Sequence, residues 1–151
     1  MRYIGVDEET AQERLAAVGV QWHAVGTEGS AAERALIDTV LPDGERQLRG
    51  TFDAEPPASG EEHLTHCAWH TNDVNEVHAF VTGLGIFEFA TPDGAITVVS
   101  EPGDVMVNRG AEHRFLPVTS QRLRLRHSGP VDADFGYVAT ARHNGPWPTI
   151  D

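Results

Sequence analysis

Cysteine is nearly absent: Cys67 is the only one in 151 residues. No intrachain disulfide can form, and a reducing cytoplasm is the simplest compartment. Long apolar runs are missing as well. Nothing approaches the roughly 18 consecutive apolar residues of a membrane span, and the opening M-R-Y-I-G-V-D-E-E has no apolar signal core. The expectation is a soluble, untargeted protein with no membrane partner. Basic residues are scarce, with 11 Lys plus Arg against 23 Asp plus Glu and a formal net charge of −12. Such a chain repels phosphate backbones and anionic lipid, so no nucleic-acid partner is expected. Internal repeats and low-complexity tracts are also lacking. The length suits one domain over residues 1–151, with a core large enough to need no disulfide.

The first sixty residues read as helix, strand and helix. Asp7 stands at an N-cap, Glu8 and Glu9 suit the positive end of a first turn, and Ala11, Leu15 and Val18 repeat at helical spacing before Gly19. Val20, Trp22 and Ala24 then alternate as the inward face of a strand, leaving His23 outward. Ser30 and Glu33 have capping-box spacing. They open a second helix over Ala31 to Leu41, which Leu41-Pro42-Asp43-Gly44 ends. Residues 54–62, rich in Pro, Gly and Ser, read as a loop at the rim of whatever follows. From 63 to about 141 short alternating runs are punctuated by Gly, Pro and Asp, as in a barrel or sandwich. The last ten residues read as an irregular tail. Residues 1–60 are thus an extension and 61–141 a barrel core.

The chemistry concentrates between His70 and His113. Alternation puts His66, Ala68, His70 and Asn72 on one strand face, with Cys67 opposite, in the core. After a polar step at Asp73-Val74-Asn75, the residues Glu76, His78 and Phe80 form a second same-face set. Pro92-Asp93-Gly94 marks a turn between two β runs, and His113 follows on a separate strand. Two imidazoles and one carboxylate from different strands are a donor set that leaves an ion's other positions open to substrate and oxygen, as in non-haem Fe(II) sites.

The spacing His70-x-Asn72-x3-Glu76-x6-Gly83, then Gly103 and His113, resembles the two motifs of the cupin superfamily. The nearer resemblance is to the acireductone dioxygenases, whose first motif runs His-x-His-x3-Glu and whose second ends His-Arg-Phe, as His113-Arg114-Phe115 does here. Arg14-Leu15-Ala16-Ala17 before Gly19-Val20 looks like their first helix and strand, and residues 10–140 can be laid along the family. The resemblance implies a mainly β fold, a double-stranded β-helix with short N-terminal helices outside it. It also implies one divalent transition metal ion, Fe(II) or Ni(II) ahead of Mn(II) or Zn(II), held by His70, Asn72, Glu76 and His113. Two departures lie inside the motifs: Asn72 replaces the family's second histidine, and His78 replaces an arginine. The second motif is one residue shorter, with Asn108-Arg109-Gly110-Ala111 for the usual proline-containing turn.

Each of these residues has a plainer reading beside the functional one. The metal set has as its alternative a barrel that keeps the site's shape without an ion, because an amide oxygen is a weaker transition-metal ligand than imidazole. Asn72 ligates, hydrogen-bonds a water ligand, or does neither. His78 is a substitute nitrogen ligand, a general base, or a hydrogen-bonded core residue. Arg124 aligns with a family arginine and would bind an anionic enolate, or belongs with Arg122 and Arg126 to an outer stripe. His63 and His66 are less well placed, and Phe80, Phe115 and Phe135 line a pocket or fill the core. The leading functional expectation is a dioxygenase acting on an enediol or diketone-like small molecule, with His78 and Arg124 as catalytic residues and dioxygen as second partner. A non-redox metal-dependent isomerase, lyase or cyclase, and a binding protein without catalysis, are the alternatives. A monomer or homodimer is expected.

Overall fold

The structure, a computed structural model, describes residues 1–26, 31–40, 46–58, 65–128 and 137–150. The Ser30 cap, the 41–44 turn, residues 59–62 of the rim loop, His63 and Phe135 lie outside them. Among the described residues, eleven strands form two antiparallel sheets. One sheet contains β1 (Arg2–Ile4), β4 (His70–Thr71), β6 (Gly85–Thr91), β7 (Gly94–Ser100), β9 (His113–Pro117) and β11 (Val138–Ala139), in the order β1-β7-β6-β9-β4-β11. The other contains β2 (Val20–Ala24), β3 (Arg46–Ala54), β5 (Glu76–Thr82), β8 (Asp104–Asn108) and β10 (Gln121–Ser128), in the order β2-β8-β5-β10-β3. Successive strands alternate between sheets over much of the barrel, so their inward faces share one interior.

Alternation along the strands decides what fills that interior. Trp22 of β2 stacks on Phe80 of β5 at 5.5 Å and meets Phe87 of β6 edge-on at the same distance. Phe89, Ile96, Met106 and Leu123 complete the cluster. Helix α1 (Glu8–Ala17) is started by Asp7, whose carboxylate accepts the Thr10 backbone N–H at 2.9 Å, and it buries Ala11 and Leu15 against the same core. The outward residues Val77, Ala79, Val105 and Val107 form a second buried cluster with Leu36 of helix α2 (Ala31–Val40) packed on it. A barrel core at one face and a helix at the other explain why β5 and β8 are buried on both sides.

Several expectations need correcting. The strand imagined from His66 to Asn72 is a 3-10 turn at Thr65–Cys67 followed by only two strand residues. The first sixty residues are not an appendage, since β1 extends one sheet beside β7 while β2 and β3 form the edges of the other. The tail is irregular in backbone, yet it is fastened to the barrel, with Thr140 N–H donating to Trp69 O at 3.0 Å.

Gly83 and Gly103 in the motifs have backbone reasons. Gly83 turns β5 into β6 at φ +79, and a Cβ there would lie 2.2 Å from the Ser120 carbonyl oxygen. Gly103 has φ +92 and would meet Gly26 O at 2.4 Å. Positive φ is costly for any side chain, and here the space is also occupied by main chain. Gly83→Ala is expected to lower stability to urea by about 1–3 kcal/mol, read from the unfolding midpoint; an unchanged midpoint would contradict this account of the turn.

Candidate metal centre

His70 and His113 face each other across a sheet. They are the one register pair between β4 and β9, and their rings lie 4.3 Å apart between centroids, tilted by 51°. Both are buried. Each ring is aimed by its own backbone, with His70 Nδ1 2.8 Å from Ala68 O and His113 Nδ1 2.9 Å from Ala111 O. A carbonyl can only accept, so these contacts assign the proton to Nδ1 and the lone pair to Nε2 in both rings. Metal-ligating histidines are oriented in this way. The β8–β9 turn fixes the segment before His113 through Asn108, whose Oδ1 accepts Ala111 N–H at 2.8 Å; the Asn108 amide nitrogen, 3.2 Å from His113 Nδ1, is a donor facing a donor in this tautomer and adds no bond.

Glu76 and His78 enter from β5 on the same side of the strand. Glu76 is buried, and its Oε2 accepts a 2.7 Å hydrogen bond from the Asn72 amide nitrogen. His78 Nε2 is 3.8 Å from the other carboxylate oxygen. That is beyond a hydrogen bond, and neither His78 nitrogen has one although both atoms are buried. These residues line a cavity of about 520 Å³, closed by Phe87, Phe115 and Leu125 and by Tyr137, whose ring lies 4.7 Å from that of His70.

Burial sets the charges. It pushes His113 down to about 4, aided by the neighbouring His70 ring and only partly opposed by Glu76. His70 is lowered by burial too, against the pull of the Ala68 carbonyl and of Glu76. For Glu76 burial acts upward, and His78, His113 and the Asn72 bond outweigh it, holding the carboxyl at about 2. Near neutral pH the centre therefore presents two neutral imidazoles and a carboxylate, the protonation states a divalent ion requires. As they stand the donors are not closed around a point: among the described residues no three His, Cys, Asp or Glu side chains converge tightly enough to hold an ion. The Glu76 carboxylate is turned to Asn72 and His78 instead. The donor chemistry and the aimed Nε2 atoms fit a metal ion, while the carboxylate would have to rotate to join them.

The other sequence-stated candidates fall in different places. Asn72 is buried in the centre, where its amide nitrogen holds Glu76. Phe115 lines the cavity, whereas Phe80 belongs to the core beneath it. His66 also lines it, despite its break from strand parity, with its ring 6.0 Å from Phe115. Arg124 is not among the described residues that line it. On β10 the buried residues are Gln121, Leu123, Leu125 and His127, and Leu125 is the one at the cavity. Arg124 therefore shares the opposite face with Arg122 and Arg126. Reasoning from sequence missed Phe87, Leu125, Tyr137 and the β3 residues Asp53 and Ala54. Leu48 and Phe52 alternate through R-Q-L-R-G-T-F-D-A and were the available sign that β3 is a strand.

Two facing antiparallel sheets with histidines and a glutamate gathered between them make a cupin-like β fold. Among solved structures, acireductone dioxygenase from Bacillus anthracis with a cadmium ion in its active centre is similar over 87% of this chain and 92% of its own, with a TM-score of 0.56 and 21% identity. The likeness is one of fold. No protein-family model matches the chain, and no curated protein matches it.

The buried groups make stability depend on acidity. An unfolded chain takes up a proton at His113 near its ordinary 6.5, while the folded one waits until about 4. Glu76 behaves likewise between its ordinary 4.5 and about 2. Metal-free protein should therefore lose urea stability progressively as pH falls from about 6.5 towards 4 and further below 4.5. His113→Gln should make the upper part of that decline shallower; an identical slope in the variant would contradict the burial argument.

Proposed function

We propose that this chain is a metal-dependent dioxygenase of acireductone dioxygenase type, acting on an enediol or diketone-like small molecule other than the methionine-salvage acireductone. The observation that carries the reading is the facing pair His70 and His113, each with Nδ1 tied to a carbonyl of its own chain and Nε2 left as the lone-pair nitrogen. With Glu76 they would hold one divalent ion, Fe(II) or Ni(II) before Mn(II) or Zn(II). Such an ion, bound by two imidazoles and a carboxylate, supplies open positions for a substrate and dioxygen.

The remaining residues prepare the substrate. Asn72 is a positioning group for the carboxylate, since its amide nitrogen is bonded to Glu76. His78 at the cavity wall, with both ring nitrogens buried and unbonded, is the group that would remove a proton from a substrate hydroxyl. Phe87, Phe115 and Leu125 give the cavity an apolar wall, and its volume suits a small molecule. Two features argue for a substrate other than the salvage acireductone. Asn72 and His78 replace the histidine and arginine of the resembling family, and no arginine is among the described residues that line the cavity. A soluble cytoplasmic enzyme fits this reading, and no helix among the described residues is long and apolar enough to cross a membrane.

One observation favours a second reading. His78, buried without a hydrogen-bond partner beside Glu76, would equally serve an isomerase, lyase or cyclase in which the ion polarises a carbonyl and no dioxygen is used. Oxygen uptake separates the two. Protein purified without chelator is expected to carry one divalent ion per chain by elemental analysis, and His113→Ala to lose it; a full complement in the variant would move the site elsewhere. His78→Ala should keep the ion and lower dioxygen consumption on an enediol substrate by on the order of a hundredfold. Undiminished consumption would remove His78 from the mechanism.

A further inference from the structure

Arg114, next to His113 on β9, points to the far side of the sheet from the cavity, yet it is almost fully buried. It is ion-paired with Glu88 of β6. Its two terminal nitrogens donate to main-chain carbonyls of the tail, Gly145 O at 2.8 Å and Pro146 O at 3.3 Å. The guanidinium plane sits 4.0 Å from the Trp147 ring centre and 5.3 Å from that of Trp69. Five donors in a rigid planar fork make this combination possible, and lysine could not supply it.

The same tail is fastened to the strand that carries His70. Trp69 N–H donates to Asn144 Oδ1 at 3.1 Å, and Thr140 N–H returns a bond to Trp69 O at 3.0 Å. Just before these anchors in the chain, β11 pairs with β4, Ala139 opposite His70 and Val138 opposite Thr71. Glu112, the residue before His113, accepts from Thr140 Oγ1 and from Arg142. A strand of two residues has little hold of its own. β4 is kept in register by β9 on one side and by the tail on the other, and Tyr137, at the head of the tail, forms part of the cavity wall against His70.

We infer that Arg114 is a positioning residue: by clamping Gly145-Pro146-Trp147 it sets the C-terminal segment that orients His70 and places Tyr137 at the cavity. The inference rests on reading His70 and His113 as ligands, but its geometry is independent of any ion. Trp147 is the residue to change, because it lies on the tail and outside the core cluster, and its loss should leave the barrel folded.

The test compares wild type, Trp147→Ala, Trp147→Phe and Arg114→Lys by two readouts. In metal-free protein the imidazole proton signals of His70 and His113 should shift in Trp147→Ala and Arg114→Lys. They should return towards wild type in Trp147→Phe, which restores a ring under the guanidinium. Co(II) affinity, followed by its visible absorption, should fall about tenfold or more in the first two variants, the size usual for groups that orient ligands, while the thermal midpoint of Trp147→Ala stays near wild type. Unshifted imidazole signals in Trp147→Ala, or shifts that Trp147→Phe does not reverse, would overturn the clamp. Shifted and rescued signals in a protein whose wild type binds no Co(II) would support the clamp and overturn the metal reading alone.

Discussion

One antiparallel rung organises this molecule's chemistry, the pairing of His70 with His113. Neither imidazole is placed by side-chain packing alone. Each is bent back onto the carbonyl two residues before it, so the direction of its Nε2 follows from the local backbone. That backbone is held by features lying outside the cavity: the Asn108 turn before His113, and the Arg114 clamp and β11 around His70. The two imidazoles are thus fixed by backbone carbonyls, whereas the Glu76 carboxylate is held by a side chain, the Asn72 amide, with His78 3.8 Å away.

The electrostatics follow from the same burial. The Glu76 carboxylate and the imidazoles of His66, His70, His78 and His113 line one largely apolar-walled space, and a charge buried there survives only when another group answers it. Glu76 stays ionised because Asn72 donates to it and the rings of His78 and His113 are close. His113 stays neutral because it is dry. Where the resembling family has a histidine, Asn72 puts a hydrogen-bond donor beside the Glu76 carboxylate in place of another imidazole.

Much of this could be read from the chain, because side-chain alternation is strict within a strand. The set Glu76, His78 and Phe80 faces the interior of β5 as its period requires, and Asp7 caps α1 as its position before two glutamates suggests. The same rule failed wherever the strand itself was misjudged. His66 was assigned by parity across residues that form a 3-10 turn, and it reaches the cavity by a different route. Alternation also grouped Arg122, Arg124 and Arg126 without saying which face was theirs; that is decided by Leu123 and Leu125, which the core claims. β1, β3 and the tail were missed for a common reason. Their places depend on pairing with strands distant in sequence, and what the tail offers Arg114 is main-chain carbonyls, which carry no signature in the residue types that bear them.

The central claim is that the Nε2 atoms of His70 and His113 face one divalent ion. Histidine nitrogen NMR during titration with Zn(II), a diamagnetic stand-in, tests it most directly. Both rings should begin as the tautomer protonated at Nδ1, and their Nε2 resonances should move together, saturating at one ion per chain, while His23 and His127 stay unchanged. If His70 and His113 begin as the opposite tautomer, or if Zn(II) moves other histidines and leaves these two in place, the account of the centre is wrong.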